Sequence, residues 1–361
     1  MLSPLPAADL EEIVSATTEE WRKLSGARLF VTGGTGFFGR WLLESLLAAN
    51  QRLGLGIEAT VLSRDPAGFA LRAPHLSRPG GLRWARGSAV NLNAAEVAKG
   101  LDVWAGELAF DMVIHLATEA DNPRTVADPL AAFDVIAGST RRALEFAEAV
   151  GARKFLFTSS GSVYGPQPPD LPHLAENASC APDVTDVTSA YAISGSAKRA
   201  AEALCVDFGK SRGIEAVIAR CFAFAGPGLP MDGKFAFGNF LADALAGSDI
   251  VVTGDGTPVR SYLYASDLTI WLWTLLVRGA GGRAYNVGSE HAITIAETAE
   301  AIRHEVAPKA RVRILSAPDK TRPTHRYIPS TARARHELGL EERVDLPTGI
   351  RRTAAWLNQA R

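Results

Sequence analysis

Apolar runs alternate with amphipathic stretches along the first 220 residues, and this alternation predicts strands separated by helices. Six runs have the length and composition of strands: 28–32, 57–62, 82–85, 112–116, 155–158 and 217–221. Helical periodicity lies between most of them, near residues 38–49, 93–99, 126–149 and 190–212. Several runs are apolar without alternation, which is typical of strands covered by helices on both faces. The pattern therefore predicts an α/β fold with a doubly wound parallel sheet.

Two regions flank this alternation. Residues 8–24 carry apolar positions at helical spacing, so residues 1–26 are predicted to form a helical extension before the first strand. After residue 222 the rhythm loosens, because glycine and proline interrupt residues 225–233 and shorter elements follow. We expect residues 27–222 to form the sheet domain. Residues 223–361 are expected to form mainly a smaller C-terminal α/β lobe, with some return of the chain to the sheet domain.

Composition and charge exclude several classes of partner. The formal net charge is −1, so no global field attracts nucleic acid or an anionic membrane. The three cysteines, at positions 180, 205 and 221, have no metal-ligand spacing, and no metal is expected. Four glutamates in the first 20 residues argue against a secretory signal, and no apolar run approaches the roughly 20 residues of a membrane span. We expect a soluble, cytoplasmic protein.

The strongest local signal is Val-Thr-Gly-Gly-Thr-Gly-Phe-Phe-Gly at residues 31–39, directly after the first strand. Glycines at three-residue intervals allow a tight turn and a close approach of backbone N–H groups to a pyrophosphate, which the following helix N-terminus also attracts. Because this string lies between a strand and a helix, it predicts a dinucleotide site. The residues expected to contact the dinucleotide here are Gly33, Thr35, Gly36, Phe37, Phe38 and Gly39.

The end of the second strand bears on the choice between NAD and NADP. An acidic residue there binds the ribose 2′-hydroxyl of NAD, whereas arginine accommodates the 2′-phosphate of NADP. Ser63 and Arg64 occupy this place, so the sequence favours NADP. Asp65 follows within two residues, which leaves NAD open, and Arg64 as an ordinary solvated loop residue is a further alternative.

Further motifs follow the glycine-rich turn in a fixed order. They are His-Leu-Ala-Thr at 115–118, Thr-Ser-Ser-Gly-Ser-Val-Tyr-Gly at 158–165, Ser-Ala-Tyr-Ala at 189–192, Lys-Arg-Ala-Ala-Glu at 198–202, Arg-Ser-Tyr-Leu-Tyr-Ala-Ser-Asp at 260–267, Tyr-Asn-Val-Gly at 285–288 and Arg-Pro at 322–323. Together they resemble the extended short-chain dehydrogenase/reductases, and in particular the NAD-dependent epimerase/dehydratase family that modifies sugar nucleotides. The resemblance covers residues 27–358 and implies a Rossmann-type NAD(P)-binding domain over 27–222 and a substrate-binding lobe beyond it.

The resemblance also implies roles for individual residues. Tyr191 would be the general acid/base, Lys198 would bind the nicotinamide ribose, and Ser160 would hydrogen-bond the reacting sugar oxygen. Further cofactor contacts would come from Leu116, Ala117 and Thr118, and contacts to a nucleotide-diphosphate sugar from Ser162, Asn239, Arg260 and Arg322. In relatives, the helices that match 126–149 and 190–212 form a dimer interface, so a homodimer is expected.

One departure from the family pattern concerns the catalytic pair. Tyr191 and Lys198 are seven residues apart, where the family has four, and alignment on the lysine places Ser194 at the tyrosine position. In a regular helix the two would share a face but lie about 10 Å apart along the axis. The insertion could be absorbed if Tyr191 precedes the helix, since Ser194 and Gly195 are poor interior helix residues. Otherwise the site is degraded or has another use.

A second departure concerns the reaction. The 4,6-dehydratases of the family carry an Asp-Glu pair, and the decarboxylases a Glu, where this chain has Gly161 and Ser162. The sequence therefore favours a C4-epimerase or a 4-ketosugar reductase. Two alternatives stay open: a dehydratase that uses other acids, and an NADP-binding sensor without turnover.

Overall fold

A computed structural model describes residues 1–77, 80–101, 103, 107–118, 122–231, 233, 235–319, 321 and 324–359. The strands are β1 Arg28–Thr32, β2 Glu58–Ser63, β3 Leu82–Arg86, β4 Met112–His115, β5 Lys154–Ser160, β6 Glu215–Cys221, β7 Phe224–Ala225, β8 Ile250–Val252, β9 Val259–Arg260, β10 Leu263–Tyr264, β11 Ala284–Val287, β12 Ile293–Thr294 and β13 Val312–Ile314. The helices are α1 Ala7–Ala16, α2 Thr18–Lys23, α3 Phe37–Leu53, α4 Pro66–Arg72, α5 Ala94–Leu101, α6 Asn122–Ala127, α7 Pro129–Phe133, α8 Ser139–Ala149, α9 Ala190–Arg212, α10 Ala236–Leu245, α11 Ala265–Arg278, α12 Ile295–Val306, α13 Ala332–Leu338 and α14 Leu346–Gln359.

The central sheet confirms the predicted fold class. Its seven strands lie in the order β11-β6-β5-β4-β1-β2-β3, and the pairs from β3 to β5 are parallel. The order β3-β2-β1-β4-β5-β6 is that of the Rossmann fold, in which ligands bind beyond the carboxyl ends of the strands where the order reverses. Here the reversal falls between β1 and β4, so the turn after β1 and the loop after β4 lie at the expected ligand position.

Two predicted helices are broken in the structure. The helix predicted over 8–24 divides at Thr17, which has φ −118° and ψ 29° and whose hydroxyl and N–H both donate to the carbonyl of Ile13, at 2.7 and 3.1 Å. The helix predicted over 126–149 breaks before Pro129, which has no backbone N–H, and Asp128 caps the new start by accepting from the N–H of Ala131 at 3.0 Å. A π turn over 134–138 then leads into α8.

The chain divides into two compact units. Unit 1 comprises Met1–Gly165, Ala181–Arg220 and Thr269–Tyr285, and its core includes an aromatic cluster in which the ring of Phe30 lies 4.4 Å from Phe146 and 5.3 Å from Phe110. Unit 2 comprises Pro166–Cys180, Cys221–Leu268 and Asn286–Arg361. The core of unit 2 packs α10, α12 and α14 around short strands, with Phe237, Phe240, Ile250, Tyr262 and Ile302 buried.

The helical extension at the N-terminus packs within unit 1. Ile13, Val14 and Trp21 are buried, and the Trp21 ring lies 4.6 Å from the ring of Trp273 on α11. Across the described part of the chain, every helix is too short or too polar to cross a membrane.

Candidate active site

The glycine-rich turn joins β1 to α3 and makes room for a close ligand. Gly33 has φ +71°, and a Cβ there would lie 2.8 Å from the backbone N of Ala117. A Cβ at Gly34 would meet Val61 Cγ1 at 2.4 Å, and one at Gly39 would meet the Cα of Gly34 at the same distance. Only glycine fits these places. Gly36 begins α3 without a side-chain cap among the described residues, so its first N–H groups suit a phosphate.

The other residues predicted to contact the dinucleotide lie around this turn, at the start of α3 and in the loop after β4. Thr35, Phe37 and Phe38 are half-buried at the start of α3. After β4, the N–H of Leu116 donates to the carbonyl of Thr32 at 3.2 Å, and this bond fixes the loop that carries Ala117 and exposed Thr118. The turn after β1 and the loop after β4 are therefore held side by side.

The loop after β2 separates the roles of Arg64 and Asp65. Asp65 caps α4, since its carboxylate accepts from the N–H of Gly68 at 3.0 Å, and its own N–H donates to Ser63 Oγ at 3.2 Å. Arg64 is exposed beside the buried Ser63. The Asp65 carboxylate, which could have bound a ribose hydroxyl, thus has a structural partner, whereas the Arg64 guanidinium forms no hydrogen bond or ion pair with the described residues.

The turn after β5 presents hydroxyl groups. Residues 161–164 form a 3-10 turn that Ser160 caps, because its Oγ accepts from the N–H of Ser162 at 3.1 Å. Ser162 is 4% exposed, and its Oγ has no hydrogen-bond partner among the described residues. The hydroxyl of Tyr191 donates to the carbonyl of Gly161 at 3.4 Å. Ser160, Ser162 and Tyr191 are therefore brought together at this turn.

Lys198 is more deeply buried than Tyr191, and the carbonyl it bonds lies three residues earlier in the chain, within β5. Its side chain is buried, its Nζ donates to the carbonyl of Thr158 at 2.7 Å, and it lies 4.7 Å from the centroid of the Phe157 ring. Lys198 and Tyr191 thus bind different carbonyls of the same segment.

The hypothesis that Tyr191 precedes its helix is wrong. Ser189 is the N-cap, accepting from the N–H of Ala192 at 3.2 Å, and α9 runs from Ala190 to Arg212 with Tyr191 as its second residue. Gly195 is needed inside the helix because a Cβ there would lie 2.3 Å from the carbonyl oxygen of Ser162. Since α9 is regular over these residues, seven positions separate Tyr191 from Lys198 by about 10 Å.

An ion pair that is largely shielded from solvent supports the same turn, and it was not among the residues predicted from the sequence. Arg220 and Glu202 form a bidentate pair with a shortest distance of 2.7 Å, Ser159 Oγ donates to Glu202 at 2.5 Å, and Arg220 donates to the hydroxyl of Tyr164 at 2.9 Å. Burial opposes the charge of Arg220, but hydrogen bonds and the charge of Glu202 outweigh it and raise the pKa of Arg220. The signal was Glu202, one helical turn after Lys198 on the same face.

His115 is a neutral structural residue. Its Nδ1 lies 2.8 Å from Thr32 Oγ1 and its Nε2 lies 3.3 Å from Ser139 Oγ. Burial and, to a lesser extent, the nearby charge of Lys198 together lower the pKa of His115 to about 3.

Unit 2 holds the predicted substrate residues, of which Arg322 lies outside the described residues. Asn239 is half-buried on α10 and accepts from the N–H of Gly233 at 2.9 Å. Arg260 donates to His325 Nδ1 at 3.1 Å, and its guanidinium lies 6.0 Å from the ring centroid of Tyr327. Burial and the charge of Arg260 lower the pKa of His325, so neutral His325 can accept this bond.

Known proteins resemble this chain over most of its length. A family model described as the NAD dependent epimerase/dehydratase family matches residues 29–288. UDP-glucuronic acid decarboxylase 2 of Arabidopsis thaliana is 30% identical over 334 residues, which cover 91% of this chain and 67% of that protein. Among solved structures, an epimerase from Methanothermobacter thermautotrophicus has a TM-score of 0.77 at 24% identity and covers 96% of both chains. RMD from Pseudomonas aeruginosa, complexed with NADPH, has a TM-score of 0.70 at 26% identity over 92% of this chain and 99% of that one.

Proposed function

This chain belongs to the NAD dependent epimerase/dehydratase family, and we propose that it is a nucleotide-sugar epimerase or 4-ketosugar reductase that works with NADP. The observation that carries this proposal is the turn 161–164, where the hydroxyl groups of Ser160, Ser162 and Tyr191 lie together and no residue of the turn is acidic. Elimination of water, or loss of a carboxyl group, would draw on an acidic residue that relatives keep at positions 161–162. Hydride transfer at a sugar carbon needs only a proton carrier at the adjacent oxygen.

The glycine-rich turn fits a dinucleotide. The Cβ atoms that Gly33 and Gly34 lack would fill the space beside β4 and β2, and the start of α3 supplies N–H donors for a pyrophosphate. When bound, the nicotinamide ring would exchange a hydride with the sugar carbon. Lys198 would orient the nicotinamide ribose, because its ammonium is already fixed at the carboxyl end of β5.

The hydroxyl groups of the turn would handle the proton. Tyr191 would hold or release the proton of the reacting sugar oxygen, and Ser160 would orient that oxygen by a hydrogen bond. Ser162, buried with a free Oγ among the described residues, would donate to a further sugar oxygen. A substrate that satisfies Ser162 removes the cost of leaving a buried hydroxyl unpaired.

The diphosphate of the substrate would be bound by unit 2. Arg260 is preorganised by its bonds to Val259 and His325, and guanidinium groups pair with phosphate through two parallel hydrogen bonds. Asn239 and Arg322 would complete this set. Its expected ligand is a nucleotide-diphosphate sugar.

The preference for NADP is tested at Arg64. Arg64→Ala should raise the Kd for NADPH by about tenfold or more, because a hydrogen bond to a charged group contributes about 1.5–3 kcal/mol, and should leave the Kd for NADH unchanged. Arg83→Ala is the matched control. Arg83, on β3, is also exposed, but it forms an ion pair with Glu58, the first residue of β2. Equal Kd values for NADPH in wild type and Arg64→Ala would contradict the preference.

The reaction is tested by product analysis with a panel of UDP-, GDP-, CDP- and dTDP-sugars and NADP(H). We expect a C4-epimer or a reduced sugar, and Tyr191→Phe should lower kcat by at least about 10²-fold. Ser194→Ala tests the other alignment of the catalytic pair and should keep kcat within a fewfold of wild type. A 4-keto-6-deoxy sugar or released carbon dioxide would refute the proposed chemistry. A large loss in Ser194→Ala alone would refute the role of Tyr191.

A second candidate function is an NADP-binding protein without turnover. The 10 Å offset between Tyr191 and Lys198 in one regular helix favours it, since the family pair would be four residues apart. Tight NADPH binding without turnover of any nucleotide sugar would support this candidate. A loss of kcat in Tyr191→Phe would favour the enzyme, whereas the absence of turnover already in the wild-type chain would favour the binding protein.

A further inference from the structure

Residues 2–5, here called the N-terminal strap, contact the first two turns of α3. The carbonyl of Ser3 accepts from Arg40 Nη2 at 2.8 Å, and the N–H of Leu5 donates to Glu44 Oε2 at 2.6 Å. Arg40 and Glu44 form an ion pair at 3.2 Å in which both side chains are 5% exposed or less. The strap is therefore bound to α3 through a buried charged pair, and α3 is the helix that begins at the glycine-rich turn.

The strap also contacts α4. The N–H of Leu2 donates to the carbonyl of Arg72, the last residue of α4, at 2.6 Å. The side chain of Leu2 packs against an apolar cluster between α3, β2 and α4, made of Leu43, Val61, Phe69, Ala73 and Leu76. Four residues of the chain thus contact both α3 and α4, in addition to the apolar packing between these two helices.

Glu44 is the centre of this arrangement. Besides Leu5 and Arg40, its carboxylate contacts His75 Nε2 at 3.1 Å, and His75 lies in the 3-10 turn just after α4. One buried carboxylate therefore bonds the strap, α3 and the segment that follows α4. A buried charge needs such partners, and removing them leaves it with a large desolvation cost.

Both helices begin next to residues proposed to bind the dinucleotide. α3 starts at the turn proposed to bind the pyrophosphate, and α4 starts at Pro66, with Asp65 as its N-cap directly after Arg64. We infer that the strap and Glu44 position the adenosine half of the dinucleotide site, with Glu44 as a positioning residue. This inference rests on the proposed binding of NADP.

The test measures the Kd of two ligands, NADPH and 2′,5′-ADP, which carries only the adenosine half. The variants are Glu44→Gln and a chain that lacks residues 2–5, so that a folding failure in one leaves the other. Glu20→Gln is the matched control. Glu20 is a buried glutamate of the same extension, but it pairs with Arg278 on α11 at 3.2 Å.

We expect both strap variants to raise the Kd for NADPH and for 2′,5′-ADP by about tenfold. The apparent Kd rises in inverse proportion to the fraction of molecules whose adenosine site is in the conformation that binds. In turnover, KM for NADPH should rise while kcat stays unchanged. Glu20→Gln should lower Tm and leave both Kd values within twofold. Unchanged Kd values in the folded deletion variant, or an equal loss in Glu20→Gln, would overturn the inference. Failure of the wild-type chain to bind NADPH would instead refute the proposed function.

Discussion

Gly195 lies where α9 meets the turn 161–164, and a single methyl group there tests whether this approach sets the geometry of the site. In Gly195→Ala the new Cβ would lie 2.3 Å from the carbonyl oxygen of Ser162 and 2.8 Å from Pro182 Cγ. Ordinary contacts begin at 3.4 Å, so helix and turn must separate by 3.4 − 2.3, about 1.1 Å. Backbone is on both sides of this contact, so side-chain rotation cannot relieve it.

Stability and activity should respond differently to this displacement. Overpacking costs about 1–3 kcal/mol, while alanine in a helix recovers up to about 1 kcal/mol relative to glycine, so the net loss should be about 0–3 kcal/mol. The same displacement moves Tyr191, on α9, away from Ser160, on the turn. A misplacement of about 1 Å can cost about 10²-fold in rate. We therefore expect a folded protein with kcat lowered by about two orders of magnitude.

The assay compares kcat, the Kd for NADPH and thermal unfolding in wild type, Gly195→Ala and Gly138→Ala. The control adds the same methyl group where the nearest atoms, in Asp134, are 3.9 Å away. Gly138→Ala should be as stable as wild type or more so, with unchanged kcat. A folded Gly195→Ala whose kcat stays within threefold of wild type would refute the reasoning, because the turn would then tolerate the shift.

Three further predictions concern the surroundings of the site. Gly33→Ala should weaken NADPH binding by more than about tenfold, because its φ of +71° and the 2.8 Å contact with Ala117 N exclude a Cβ; an unchanged titration would contradict this. Glu202→Gln should lower the free energy of unfolding by about 3–5 kcal/mol in urea, since it leaves the Arg220 charge buried; a loss below about 1 kcal/mol would refute the role of the pair. The pKa of His115 is 6.5 in the unfolded chain and is lowered to about 3 by folding, so between these values only the unfolded chain binds the proton. The contribution of His115 to the free energy of unfolding should therefore be complete above pH 6.5 and be lost as the pH falls towards 3. Between pH 7 and 5 the loss from this group should be about 2 kcal/mol, and His115→Gln should remove it from the pH profile; equal profiles would contradict the assignment.

The sheet could be predicted because its signals are local. Apolar runs without alternation marked β1, β2, β4 and β5 to within two residues at each end, and the glycine-rich string lies at the turn after β1, as predicted. The breaks at Thr17 and Pro129 also had local causes. Hydrophobic periodicity continues across both positions, however, and periodicity by itself predicts unbroken helices.

The strap could not be predicted in this way. Leu5 and Glu44 are 39 residues apart, and nothing in either segment marks a carboxylate on α3 as the acceptor for a distant backbone N–H. Arg220 and Glu202 are 18 residues apart, and although Glu202 shares a helix face with Lys198, nothing in the sequence marks Arg220 as its partner. Such contacts depend on how the elements pack, and charged residues at these positions are equally typical of a solvent-exposed surface.

The seven-residue spacing of Tyr191 and Lys198 along α9 matches the length of the segment whose carbonyls they bond. Seven residues of α9 rise about 10 Å, and the three residues from Thr158 to Gly161, extended through Ser160, also span about 10 Å. The two side chains can therefore bind carbonyls at either end of the same segment, as they do. One extra helical turn moves the tyrosine from the level of β5 to the level of the 3-10 turn. There its neighbours are hydroxyl groups, so a proton carried by Tyr191 would be shared with Ser160, and Lys198 would act on the cofactor side alone.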